Sequence, residues 1–132
     1  MNVYVRELAR SLGKLGVPVD IFTRNHPGAG SRIEQISPMA RVVHLPAGEP
    51  EAPMQSLFDH LPQFLQALED FQRGSQLDYR LVHSHYWLSG WAGSAFAKQQ
   101  SVPHVATFHT LGLIKMQSRA GEVEPAERQQ VE

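Results

Sequence analysis

At 132 residues the chain is long enough for one compact domain with a real core and too short for two. Twelve Lys plus Arg against thirteen Asp plus Glu give a net charge of -1, so no basic field exists to hold nucleic acid or an anionic membrane surface. The absence of Cys excludes disulfides, thiolate zinc sites and cysteine nucleophiles, and fits a reducing cytoplasm.

Met1, Val5, Leu8, Leu12 and Leu15 recur at steps of four and three, which predicts a helix near 1–14. Arg6, Glu7 and Arg10 interrupt any apolar stretch of the kind a signal peptide needs, and no later run approaches the roughly 20 apolar residues of a membrane span. Gly16 supplies a helix stop, and VPVDIFTR at 17–24 reads as a strand. Residues 25–40, rich in Gly, Pro and Ser, read as a loop. RVVHL at 41–45 reads as a second strand and PAGEPEAP after it as another loop.

Leu57, Leu61, Phe64, Leu68 and Phe71 repeat the helical spacing, and Pro62 belongs in a first turn, so the helix is expected near 60–72. YRLVHSH at 79–85 is a buried-type strand running directly into a helix near 87–100. Its expected inner face is Leu88, Trp91, Ala92, Ala95 and Phe96, and Ser89, Gly90, Gly93 and Ser94 are small enough to let it lie close on a sheet. HVATFH at 104–109 is the last strand, and EPAERQQVE at the end looks like a helix start. This alternation predicts an α/β domain, a Rossmann-like, mainly parallel sheet with flanking helices. Such a unit begins with a strand, whereas this chain begins inside a helix, so a first strand is expected ahead of Met1.

In open α/β sheets ligands sit beyond the C-terminal ends of the strands. Two clusters end strands here: His83-Ser84-His85-Tyr86-Trp87 and Phe108-His109-Thr110-Leu111-Gly112. Helix N-termini beside them suit phosphate. His83 and His85, two apart on a strand, point to one side and raise a metal reading with His109 as third ligand. The neighbours are Ser, Tyr, Trp and Thr rather than Asp or Glu, so a hydrogen-bonded, partly buried His83 and no metal is preferred. Ser84 and Ser89 lie near histidines, yet no G-x-S-x-G elbow and no G-x-G-x-x-G turn occurs. These residues alone imply a ligand-binding α/β domain.

MNVYVRELARSLGKLGVPVDIFTR, LVHSHYWLSGWAG, VPHVATFHTLGLIK and EPAERQQVE, in this order and at these separations, resemble the family 4 retaining glycosyltransferases of GT-B fold. The resemblance runs closest to the branch of the inositol-phosphate N-acetylglucosaminyltransferases and sucrose-phosphate synthases. It implies a hexosyl transferase that uses a nucleotide-sugar donor as co-substrate, with no cofactor, on a sugar, polyol or sugar-phosphate acceptor. It implies that Asn2, Tyr86 and Thr110 line the acceptor pocket, that His109 is the catalytic residue beside the transferring sugar, and that Arg128 in E-P-x-x-R meets an acceptor phosphate. Phe58 in LFDHLP stands where the inositol-phosphate enzymes carry a partnering lysine, which leaves unphosphorylated acceptors open. It further implies that residues 1–132 form a partial N-terminal, acceptor-side domain. Both a Gly-Gly loop and a C-terminal nucleotide-sugar domain would lie outside the chain, which is expected to be inactive alone. The competing readings are a stand-alone α/β ligand-binding module without catalysis and a metal hydrolase.

Overall fold

A computed structural model of the chain describes residues 3–28, 30–109 and 126–131. The chain divides into two compact units, Met1–Glu51 and Ala52–Glu132. Both are α/β and both contain parallel strand pairs, as the alternation of periods predicts.

The first unit is α1 (Val3–Lys14), β1 (Val19–Arg24), β2 (Ile33–Ser37) and β3 (Ala40–Leu45). Its sheet has the order β1-β3-β2, with β3 parallel to β1 and antiparallel to β2. Because β3 has a neighbour on each side, its residues Val42, Val43 and Leu45 are fully buried, which is why RVVHL shows no polar alternation. Ala9 of α1 packs with Ile21, Ala40 and Val42, and Val5, Val19 and Ile36 surround them. Asp20 and Arg41 face each other across β1 and β3 in a two-pronged ion pair, Nε to Oδ1 at 2.7 Å and Nη2 to Oδ2 at 3.0 Å.

Two expectations need correction in this unit. Residues 33–37, read as loop, form the edge strand β2. Its side chains are mostly exposed, so no apolar run marks it, and it is held by pairing with β3 and by the Arg6–Glu34 ion pair from α1. Leu15, assigned to the inner face of α1, is 79% exposed, because the helix has already ended at Lys14 and Ala9 takes the deepest position.

The second unit opens with a 3-10 helix at Met54–His60, which the sequence did not announce, and continues into α2 (Leu61–Ser75) with Pro62 in its first turn. It continues with β4 (Val82–His85), α3 (Tyr86–Gln100), β5 (His104–Thr107) and α4 (Ala126–Val131). β4 and β5 pair in parallel through α3. β4 is shorter than the 79–85 run because its ladder begins where Val82 N–H donates to Pro103 O at 3.0 Å; Pro103 has no N–H to extend the pairing. Tyr79 instead packs edge-on to Phe96, 6.2 Å between ring centres. The buried face of α3 is Gly90, Ala92, Gly93, Phe96 and Ala97, whereas Leu88, Trp91 and Ala95 are only half-buried. Gly93 lies against β4 and β5, whereas Gly90 faces Val131 of α4 and Phe108.

All three long helices end in the same motif. The residues at 17, 77 and 102 donate back to the carbonyls of Leu12, Gln72 and Ala97, with Gly16, Gln76 and Ser101 in left-handed conformation at φ 81°, 52° and 56°. Only the first of these positions is glycine. Gln76→Gly and Ser101→Gly should therefore each raise stability by about 0.5–1 kcal/mol by removing the Cβ penalty of that conformation. Urea midpoints measure this, and a lower midpoint in both variants would contradict it.

Candidate functional site

The register of β4 and β5 sorts the histidines onto two faces. His83 lies opposite Val105 and His85 opposite Thr107, while Val82 lies opposite His104 and Ser84 opposite Ala106. On the face under α3, the Ser84 hydroxyl and His104 Nε2 share a hydrogen bond of 2.8 Å close to Gly93. Ser84 is only 4% exposed and thus serves the packing of α3, not a nucleophilic role.

The opposite face carries His83 and His85, with His109 two residues past the end of β5. His83 Nε2 hydrogen-bonds Thr107 Oγ1 at 2.8 Å, and His85 Nδ1 hydrogen-bonds His109 Nε2 at 3.2 Å. Each bond runs diagonally, from a β4 residue to the residue two beyond its own partner on β5. The His83 and His85 rings are 4.3 Å apart, those of His85 and His109 5.5 Å, and the Tyr86 ring lies 4.7 Å from His109. A continuous row of rings therefore marks the C-terminal ends of the two parallel strands.

Tyr86 turns the chain from β4 into α3 at φ 68°, a left-handed conformation that an aromatic residue adopts only under constraint. Ser89 supplies part of that constraint. Its hydroxyl accepts from the His85 N–H at 3.1 Å and donates to the His85 and Tyr86 carbonyls. This places the Tyr86 ring over His109 and leaves the first-turn N–H groups of α3 beside the ring row, an arrangement suited to an anionic or hydroxyl-rich ligand. The sequence pointed to Tyr86 and His109, but not to Ser89 or Thr107 as their supports. The four-residue step from His85 to Ser89 and the pairing of HSH with VAT were the available signals.

Partial burial, followed by the charge repulsion a protonated neighbour would exert, holds His83 and His85 below the usual histidine value; burial and then His83 do the same for His104. The folded chain thus binds these protons less readily than the unfolded chain. Stability should be flat above the unfolded histidine value near 6.5 and should fall as the pH drops through it. Glu34 and Asp70 act lower. Hydrogen bonds from Arg6 and Arg73 depress them, so what they contribute is lost only as the pH falls through their depressed values. Urea unfolding between about pH 8 and pH 5 tests the histidine window. A midpoint that does not fall across it would show that the three rings titrate normally.

Of the remaining residues implied by the family resemblance, Arg128 lies on α4, which packs on α3, and is 6% exposed. Phe58 stacks on Trp87 at 5.7 Å and meets Trp91 edge-on at 6.3 Å, an aromatic cluster in the place of the lysine. His83 is hydrogen-bonded as expected, and is more exposed than its neighbour His85. Asn2 and Thr110 lie outside the described residues. Among the described residues no three His, Asp or Glu side chains are placed to hold a metal ion, and no helix is long and apolar enough to cross a membrane.

Residues 1–131 match the glycosyl transferase 4-like domain. The chain is 38% identical over 116 residues to the D-inositol 3-phosphate glycosyltransferase of Corynebacterium kroppenstedtii, covering 87% of this chain and 26% of that protein. It is 36% identical over 114 residues to the mannosylfructose-phosphate synthase of Agrobacterium fabrum, covering 86% and 25%. Among solved structures it is similar to the sucrose-phosphate synthase of Thermosynechococcus elongatus, with a TM-score of 0.88 and 34% identity over 98% of this chain and 32% of that one. The chain thus spans between a quarter and a third of the length of these relatives.

Proposed function

We propose, from the premise that the chain belongs to the glycosyl transferase 4-like domain family, that it supplies the acceptor side of a retaining sugar-transfer site. A hexosyl group passes from a nucleotide sugar to a hydroxyl of a sugar, polyol or sugar phosphate. The relatives' names point to phosphorylated acceptors, since they act on inositol 3-phosphate or form a mannosylfructose phosphate or a sucrose phosphate. The single observation that carries the reading is the His85–His109 pair capped by Tyr86 at the ends of two parallel strands. Imidazoles and an aromatic face can orient hydroxyls. The leaving diphosphate would be stabilised by helix N-termini and basic groups while the acceptor hydroxyl attacks on the same face of the sugar.

In this reading His109 contacts the transferring sugar, Asn2, Tyr86 and Thr110 line the acceptor pocket, and Arg128 meets the acceptor phosphate. No cofactor takes part. The residues form the N-terminal, acceptor-side portion of a two-domain enzyme whose nucleotide-sugar contacts are supplied mainly by a second domain. Without that domain the chain transfers nothing, and the Cys-free composition suits a cytoplasmic setting.

Acceptor kinetics with the enzyme that carries this segment test the assignment of Arg128. Comparing inositol phosphate and fructose phosphate with the unphosphorylated compounds, Arg128→Ala should raise KM for the phosphorylated acceptors by about tenfold or more, the size of one lost charge-assisted hydrogen bond, and leave the neutral ones nearly unchanged. Because Arg128 is buried, the variant also loses folded protein. The ratio between the two acceptor classes is unaffected by that loss, and equal effects on both would show that Arg128 is structural only.

A further inference from the structure

We propose that Ser89 is a positioning residue for the acceptor: its hydroxyl latches the turn from β4 into α3 and so holds Tyr86 in the left-handed conformation that sets its ring over His109. The functional consequence rests on the sugar-transfer reading, whereas the latch itself does not.

His85 stands at the N-cap of α3 at φ -124° and ψ 125°, with its side chain turned to the His109 ring rather than back onto the helix. Closing the first turn falls to the residue four places on. Ser89 Oγ accepts from the His85 N–H at 3.1 Å and donates to the carbonyls of His85 and Tyr86, the latter at 3.2 Å. A capping box ties the N-cap N–H to a first-turn side chain in a similar way. Here the same oxygen also bonds the peptide groups on either side of Tyr86, whose relative orientation is what its φ of 68° describes. In YWLSGW, Ser89 is the one side chain short and polar enough to return an oxygen to its own backbone.

The left-handed region is unfavourable for tyrosine, and a tyrosine released from constraint moves toward the right-handed one. A single hydrogen bond is worth about as much as that penalty, and Ser89 accepts one while sharing its proton between two carbonyls. Loss of the hydroxyl therefore shifts the balance at Tyr86 by as much as the penalty itself. Rotation of φ redirects the Cα–Cβ bond and carries the ring away from His109, from which it lies 4.7 Å. In the sugar-transfer reading Tyr86 lines the acceptor pocket and a second domain supplies most donor contacts, so acceptor binding is the step that suffers.

The backbone conformation can be measured directly. A residue at positive φ brings its own amide and Hα protons close together, so in the isotope-labelled chain Tyr86 should give one of the strongest intraresidue cross-peaks in the nuclear Overhauser spectrum. Ser89→Ala should reduce that peak to the level of ordinary helical residues, and Ser89→Thr, whose hydroxyl can make the same bonds, should keep it. A weak peak in the unmodified chain, or an unchanged one in Ser89→Ala, would overturn the latch. In the enzyme that carries this segment, Ser89→Ala should raise the acceptor KM by about fivefold to tenfold with the donor KM within about twofold, and Ser89→Thr should restore most of the affinity. With the ring removed by Tyr86→Gly, adding Ser89→Ala should raise the acceptor KM no further. The same rise in both backgrounds would show that Ser89 does not act through Tyr86. A lost cross-peak with the acceptor KM unchanged would refute the functional half and leave the transfer reading intact. No transfer activity beside the expected spectra would remove that reading and leave the latch established.

Discussion

Replacing His109 by alanine is expected to lower kcat by about tenfold to a hundredfold in the enzyme that carries this segment, with a smaller change in acceptor KM. The range follows from what one imidazole hydrogen bond can offer. One hydrogen bond realised mainly in the transition state is worth about 1–3 kcal/mol, and each 1.4 kcal/mol is a factor of ten. His83→Ala should cost much less, because the hydrogen bond His83 makes is to Thr107, whereas His109 is bonded to His85. Steady-state rates with saturating donor and varied acceptor separate the two constants. If His83→Ala proved as damaging as His109→Ala, the ring row would be acting as a unit and the single role given to His109 would be wrong.

Gly93→Ala should unfold the second unit more easily, by about 1–3 kcal/mol, although alanine is the better helix former. A Cβ on Gly93 would lie 3.0 Å from His104 Nε2, 3.1 Å from Ser84 Cβ and 3.4 Å from Val82 Cγ1. None of these atoms can retreat cheaply, since His104 and Ser84 are bonded to each other and all three sit on paired strands. The propensity gain of up to about 1 kcal/mol is outweighed by overpacking and by strain on that hydrogen bond. Gly74 of α2 supplies the contrast. Nothing lies within 4 Å of its would-be Cβ, so Gly74→Ala should stabilise by about 0.5–1 kcal/mol. Thermal melts of the two variants should move in opposite directions, and a shift of the same sign in both would mean that packing under α3 does not govern the outcome.

The elements that were legible in the sequence are those whose signal is local. α1 follows from its repeat and from the glycine at 16, α2 from its repeat and from Pro62, and the HSHYW and TFH clusters follow from strands ending in polar residues. β2 was not legible, because an edge strand with exposed side chains needs no apolar pattern and owes its existence to β3 and to Arg6. The face of α3 was legible in part: Ala92 and Phe96 are buried as expected and Gly93 lies close on the strands, whereas Leu88, Trp91 and Ala95 are only half-buried because the tight approach at Gly93 turns them partly away. At the site, residue types singled out His109 and Tyr86. The diagonal bonds that tie His83 to Thr107 and His85 to His109 depend on register, which no single strand encodes.

The left-handed backbone at Tyr86 bears on how this position can evolve. A tyrosine there costs on the order of 1 kcal/mol that glycine or asparagine would not. A library randomised at residue 86 and sorted for heat resistance alone would drift toward those two residues. One sorted for sugar transfer would keep the aromatic ring that covers His109. The position would then show opposite preferences under the two selections, and a compensating gain, such as glycine at Gln76 or Ser101, would widen the set of backgrounds in which the strained tyrosine is tolerated.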